Sequence, residues 1–77
     1  MDKSIIMGQR LRELRENSGL SQSQVAEIIG KTLKTYQRYE RDETLPLIDT
    51  ALVLAEYYNV SVKYLAGKTD DPYDFTP

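Results

Sequence analysis

A chain of 77 residues with 12 acids, 10 bases and a net charge of -2 reads as one small domain that must build its core economically. It has neither cysteine nor histidine, which excludes disulfides, thiolate metal sites and the usual nucleophile and base pairs of enzymes. The apolar run near its start breaks after Met7 and no later run approaches membrane-spanning length, so a soluble, cytoplasmic chain with no membrane partner, cofactor or metal is expected.

Over residues 5 to 18, Ile6 or Met7, Leu11 and Leu14 recur at helical core spacing, while Arg10, Arg12, Glu13 and Glu16 fill the solvated sides. Gly19 ends this first helix. Leu20 to Arg41 then reads as two short helices joined by a tight turn. Ser21 is placed to cap the second helix, Gln24 completes a capping box, and Leu20 with Val25 forms a hydrophobic staple. Val25, Ile28 and Ile29 recur at spacings of three and four residues, and Gly30 stops the helix.

Thr32 caps a third helix after only about three or four turning residues. On that helix Tyr36, Tyr39 and Glu40 share an inward face, and Leu33, Lys34, Gln37, Arg38 and Arg41 share an outward one. Lys31, Lys34, Arg38 and Arg41 fall in one short segment whose only acid is Glu40, whereas Asp70, Asp71 and Asp74 crowd the end of the chain. That distribution makes a basic face with an acidic tail, and it predicts modest non-specific affinity for a polyanion.

Pro46 prevents a helix from running through the turn from Asp42 to Leu47. Ile48, Ala51, Leu52, Ala55 and Tyr58 give a fourth helix one apolar face, terminated by Asn59. Val53 and Tyr57 make a smaller second stripe, and Val60, Val62 and Tyr64 follow in a last helix that Ser61 caps and Gly67 closes. Residues 1–69 read as the domain and 70–77 as an acidic, mobile tail. Asn59-Val60-Ser61 matches a glycosylation acceptor, but nothing routes the chain to secretion, and the tail acids lack the glycine and glutamate of a calcium loop.

The pattern Leu20, Ser21, Gln22, Ala26, Gly30, Thr32, Tyr36, Glu40 and Pro46 resembles the Cro/C1-type helix-turn-helix family, also called the XRE family. The resemblance covers roughly residues 5 to 67 and implies an all-α, five-helix bundle of the lambda-repressor-like type, with the helix starting at Thr32 lying in a major groove. It further implies that Arg15 and Glu40 form a partly buried ion pair, that Gln22 contacts the DNA backbone, and that the C-terminal half self-associates as a weak homodimer through Val53, Tyr57, Val60 and Tyr64. The chain departs from the family at Tyr36 and Tyr39, where aliphatic residues are common, at Leu33, where a polar residue is often found, at Asp42, where glycine is common, and at Leu47, where a small polar cap is usual. Basic residues often follow that glycine, and in conventional docking Asp42 and Glu43 lie near the phosphates, so they weaken or trim backbone affinity.

The outward face suits a duplex on chemical grounds. Lysine and arginine donate to guanine O6 and N7, glutamine both donates and accepts at adenine, and a leucine meets a thymine methyl. Base reading is therefore assigned to Leu33, Lys34, Gln37 and Arg38, and backbone contact to Gln22, Thr32 and Arg41, with Thr35 at the edge of the face. The expected function is sequence-specific binding of double-stranded DNA by a transcriptional repressor, without a built-in small-molecule sensor. The alternative is a protein-interaction module, an antitoxin or anti-regulator, on the same scaffold.

Overall fold

A computed structural model describes residues 6–77. Among them run five helices and no strand: α1 (Met7–Asn17), α2 (Gln22–Ile28), α3 (Leu33–Glu40), α4 (Ile48–Tyr58) and α5 (Val62–Leu65). This is the all-α, five-helix arrangement expected from the sequence; the expected helical residue 5 lies outside the described residues.

The predicted caps form. Ser21 Oγ accepts from the Gln24 N–H at 3.1 Å while the Ser21 N–H donates to Gln24 Oε1 at 2.8 Å, closing the capping box of α2. Thr32 Oγ1 accepts from the Thr35 N–H at 3.2 Å, and Ser61 Oγ from the Tyr64 N–H at 3.0 Å. Each cap satisfies a donor that the helix itself leaves unpaired, a contribution of about 1 kcal/mol. Leu47 stands at the start of α4 with no side-chain cap and is 73% exposed.

At their other ends all five helices close on a left-handed residue: Gly19, Gly30, Asp42, Asn59 and Gly67. The sequence signals four of these. Asp42 is the fifth, with φ of 56° where glycine would rest without strain. Its carboxylate offsets that strain, because Oδ1 accepts from the Gly8 N–H at 3.0 Å and so caps the start of α1 from across the fold.

Leu11, Val25, Tyr36, Leu54 and Leu65 are fully buried, one from each helix, and Ala26 and Ala55 let the backbones approach. α1 packs on both α3 and α5, and the α2–α3 pair joins the α4–α5 pair through it. Gly8 marks the closest approach: a methyl there would overlap the Glu40 carbonyl oxygen and come within 2.8 Å of its carbonyl carbon. Gly8→Ala, a change that stabilises an ordinary helix interior, is expected here to cost about 1–3 kcal/mol, read as a lowered denaturant midpoint.

Several expectations are corrected. The buried side of α4 is Thr50, Ala51, Leu54 and Ala55, while Ile48 and Leu52 are 67% and 45% exposed. This helix carries apolar residues on several sides, so its periodicity leaves the inward direction open and its neighbours choose it. Val60 is a core residue, which leaves Val53 and Tyr57 as the exposed part of the expected dimer patch. Arg10 is buried rather than solvated. Its guanidinium lies 4.0 Å over the Tyr64 ring and donates to the Tyr64 carbonyl, to the Thr69 carbonyl at 2.6 Å and to Asp70 at 2.9 Å.

The acidic tail, expected as a mobile end, is laid back along α5. The Ser61 N–H donates to the Pro72 carbonyl at 2.8 Å, and Lys63 Nζ reaches Asp74 at 3.3 Å and Thr76 Oγ1 at 3.0 Å. Hydrogen bonds from Thr76, then Lys63, pull the Asp74 carboxyl down to about 2. Asp70 looks surplus in the sequence because its partner Arg10 lies 60 residues away along the chain.

Candidate nucleic-acid interface

The third helix is fixed from behind and open in front. Behind, Tyr36 and Tyr39 are buried with their rings edge to face, 6.4 Å between centroids. The Tyr36 hydroxyl, expected at the rim of the core, is itself buried and has no hydrogen-bond partner among the described residues. Burial, with the Glu40 charge close by, pushes its ionisation far above the usual tyrosine range.

Glu40 is the anchor of this inner face. Arg15 Nε donates to its Oε2 at 2.6 Å and Arg15 Nη2 to its Oε1 at 3.2 Å, with the two side chains only 13% and 4% exposed. The implied Arg15–Glu40 pair is therefore present and bidentate. Burial alone would raise the Glu40 carboxyl, but donors from Arg15 and Gln22 outweigh it and hold the group below its ordinary 4.5. The same bond raises the Arg15 guanidinium further. Arg15 Nη1 also donates to the Leu20 carbonyl at 3.1 Å, tying the start of the second helix to the pair.

From this anchor a chain of amides leads outward. Gln22 Nε2 donates to Glu40 Oε1 at 3.0 Å, and Gln37 Nε2 donates to Gln22 Oε1 at 3.2 Å. Both glutamines are half-buried. Gln22 is thus engaged at both ends in the free chain, and any phosphate contact falls to its remaining N–H. Gln37 is left with its carbonyl and one N–H free, the pair of groups that an adenine edge requires.

The front of α3 carries the other residues expected at the site. Thr32, Leu33, Lys34, Arg38 and Arg41 are exposed, Thr35 is half-buried, and Leu33 shows 41% of its surface. The structure thus brings Lys34, Gln37, Arg38 and Arg41 onto one side and sets Gln22 beside them. Thr32 Oγ1 and Thr35 Oγ1 lie 3.0 Å apart and bond to each other. Sequence reasoning missed the capping role of Asp42 and the partners of Glu43. Glu43 bonds Arg41 Nε at 2.8 Å and lies 3.7 Å from Arg38 Nε. Its position two residues beyond Arg41 was the available signal.

An exposed basic helix preceded by a capped helix across a tight turn has the geometry of a helix-turn-helix reading head. A helix-turn-helix family profile matches residues 11–65. The chain belongs to the Cro/C1-type helix-turn-helix family. Among family relatives, the uncharacterized HTH-type transcriptional regulator YobD of Bacillus subtilis is 45% identical over 64 residues, which cover 83% of this chain and 57% of YobD. The HTH-type transcriptional regulator ImmR of the same organism is 41% identical over 83% of this chain and 50% of its own length. PuuR of Escherichia coli, also an HTH-type transcriptional regulator, is 32% identical over 92% of this chain and 38% of PuuR. The chain spans about half the length of the Bacillus relatives it matches. No solved structure matches it. Among the described residues, no helix of this family member is long and apolar enough to cross a membrane.

Proposed function

We propose that this helix-turn-helix chain is a cytoplasmic, non-enzymatic transcriptional regulator that binds double-stranded DNA and represses where its site overlaps a promoter. The observation that carries the reading is the two-sided third helix: an inner face locked by the Arg15–Glu40 pair and an outer face presenting Lys34, Gln37, Arg38 and Arg41. Base edges in the major groove are read by Leu33, Lys34, Gln37 and Arg38, with Thr35 at the edge of that face, while Gln22, Thr32 and Arg41 hold the backbone.

One domain of this size touches few base pairs, so specificity calls for a second copy on a half-site ~34 Å away. The exposed Val53 and Tyr57 are the surface offered to that copy, with Tyr64 half-covered by Arg10 and Val60 turned inward. Selection of bound duplexes from a random pool tests both parts. A recovered two-fold symmetric sequence, bound with two chains in sedimentation, is the expected result; failure to enrich any sequence removes the regulator reading.

A further inference from the structure

The backbone of Glu43 is held by the turn that ends α3. Asp42 takes its left-handed turn with its carboxylate fixed on Gly8, its N–H donates to the Tyr39 carbonyl at 3.2 Å, and the Glu43 N–H donates to the Arg38 carbonyl at 3.0 Å. These are the paired bonds of a helix-terminating turn, and they aim the residue after the turn back over the last turn of α3. There the Glu43 carboxylate faces two guanidinium groups at once: Oε2 is 2.8 Å from Arg41 Nε, Oε1 is 3.5 Å from Arg41 Nη2, and Oε1 is 3.7 Å from Arg38 Nε. A guanidinium fork around one anion is the arrangement with which Arg41 would grip a backbone phosphate, and the nearby Arg38 adds to the charge around it.

We propose that the Glu43 carboxylate is an internal stand-in for a DNA phosphate, held by Arg41 with Arg38 close by in the free chain and displaced when a duplex docks, which frees Arg41 for the backbone and Arg38 for a base edge. The proposal rests on the DNA-binding reading above and deepens it by naming the residue that sets sequence-independent affinity. Displacement exchanges one anion for another, so the net gain from each arginine is smaller than for an unpaired cation. Affinity for arbitrary sequence, which comes almost wholly from phosphate contacts, is held down. All three side chains are about half exposed, so opening the clasp requires no repacking of the core.

The test is anisotropy titration of a labelled duplex of arbitrary sequence against wild type, Glu43→Gln and Glu43→Ala across a series of salt concentrations. Both variants are expected to bind about fivefold more tightly at low salt, with a salt slope steeper by about 1. Repeating Glu43→Gln in an Arg41→Gln background separates a clasp from simple repulsion, and there the gain is expected to fall to about twofold or less. A gain of the same size in that background overturns the clasp, as does wild-type affinity in both single variants while the wild type itself binds. No salt-dependent binding by the wild type removes the DNA-binding reading, and this proposal with it.

Discussion

Glu40→Gln is expected to remove about 3–5 kcal/mol of stability, because it strands the buried Arg15 charge without its counter-ion. A domain of this size has about 5–15 kcal/mol in total, so the variant stands close to unfolding at moderate temperature. Chemical denaturation followed by helical circular dichroism measures the loss; a midpoint equal to wild type would mean that the pair is superficial. The wild-type chain carries the same information in its pH dependence. Glu40 ionises below its ordinary 4.5 in the fold, so the unfolded chain takes up the proton more readily. Its contribution is complete above that value and is lost as pH falls through the lower folded value. At the alkaline end the signs reverse. Burial raises Tyr58 from 10.0 to about 12 and Tyr36 further, so stability holds below 10.0 and falls as pH rises above it.

The largest effect on function is expected from Lys34→Ala combined with Arg38→Ala. Each removes an exposed cation from the outer face of α3, and a good charged base contact is worth about 1–3 kcal/mol, so the pair should lose roughly a hundredfold or more on a selected duplex. The melting temperature should stay near wild type, since neither side chain is in the core. Unchanged activity in the double variant would favour the protein-interaction reading of the same scaffold. Arg38→Ala alone should relax discrimination at one or two base positions. The amide chain alters what is expected of Gln22→Ala: besides weakening binding to all sequences, it releases Gln37 from its link to Glu40, so the base that Gln37 reads should also be read less strictly.

The short helices around the turn were legible because their signals are local. A capping box between Ser21 and Gln24, a threonine before the third helix and a left-handed Gly30 are each decided within four residues, and the charge split across α3 follows from helical periodicity alone. The Arg15–Glu40 pair, 25 residues apart, came from family resemblance and is bidentate in the fold.

What the chain order could not disclose were choices made between distant segments. The direction in which α4 faces was open, because apolar residues lie on several of its sides, and only packing against its neighbours, α5 among them, turned Leu54 inward and left Ile48 and Leu52 outside. Arg10 looked solvated because its acceptors lie 54 to 60 residues away, and Asp70 looked unpaired for the same reason. Asp42 became the cap of α1 and Glu43 the partner of two arginines once the turn after α3 had been placed in space. Caps, periodicity and turns act over a few residues and so are written in the sequence. A buried charge or a shared carboxylate takes its role from groups that folding brings to it, and that required the tertiary structure.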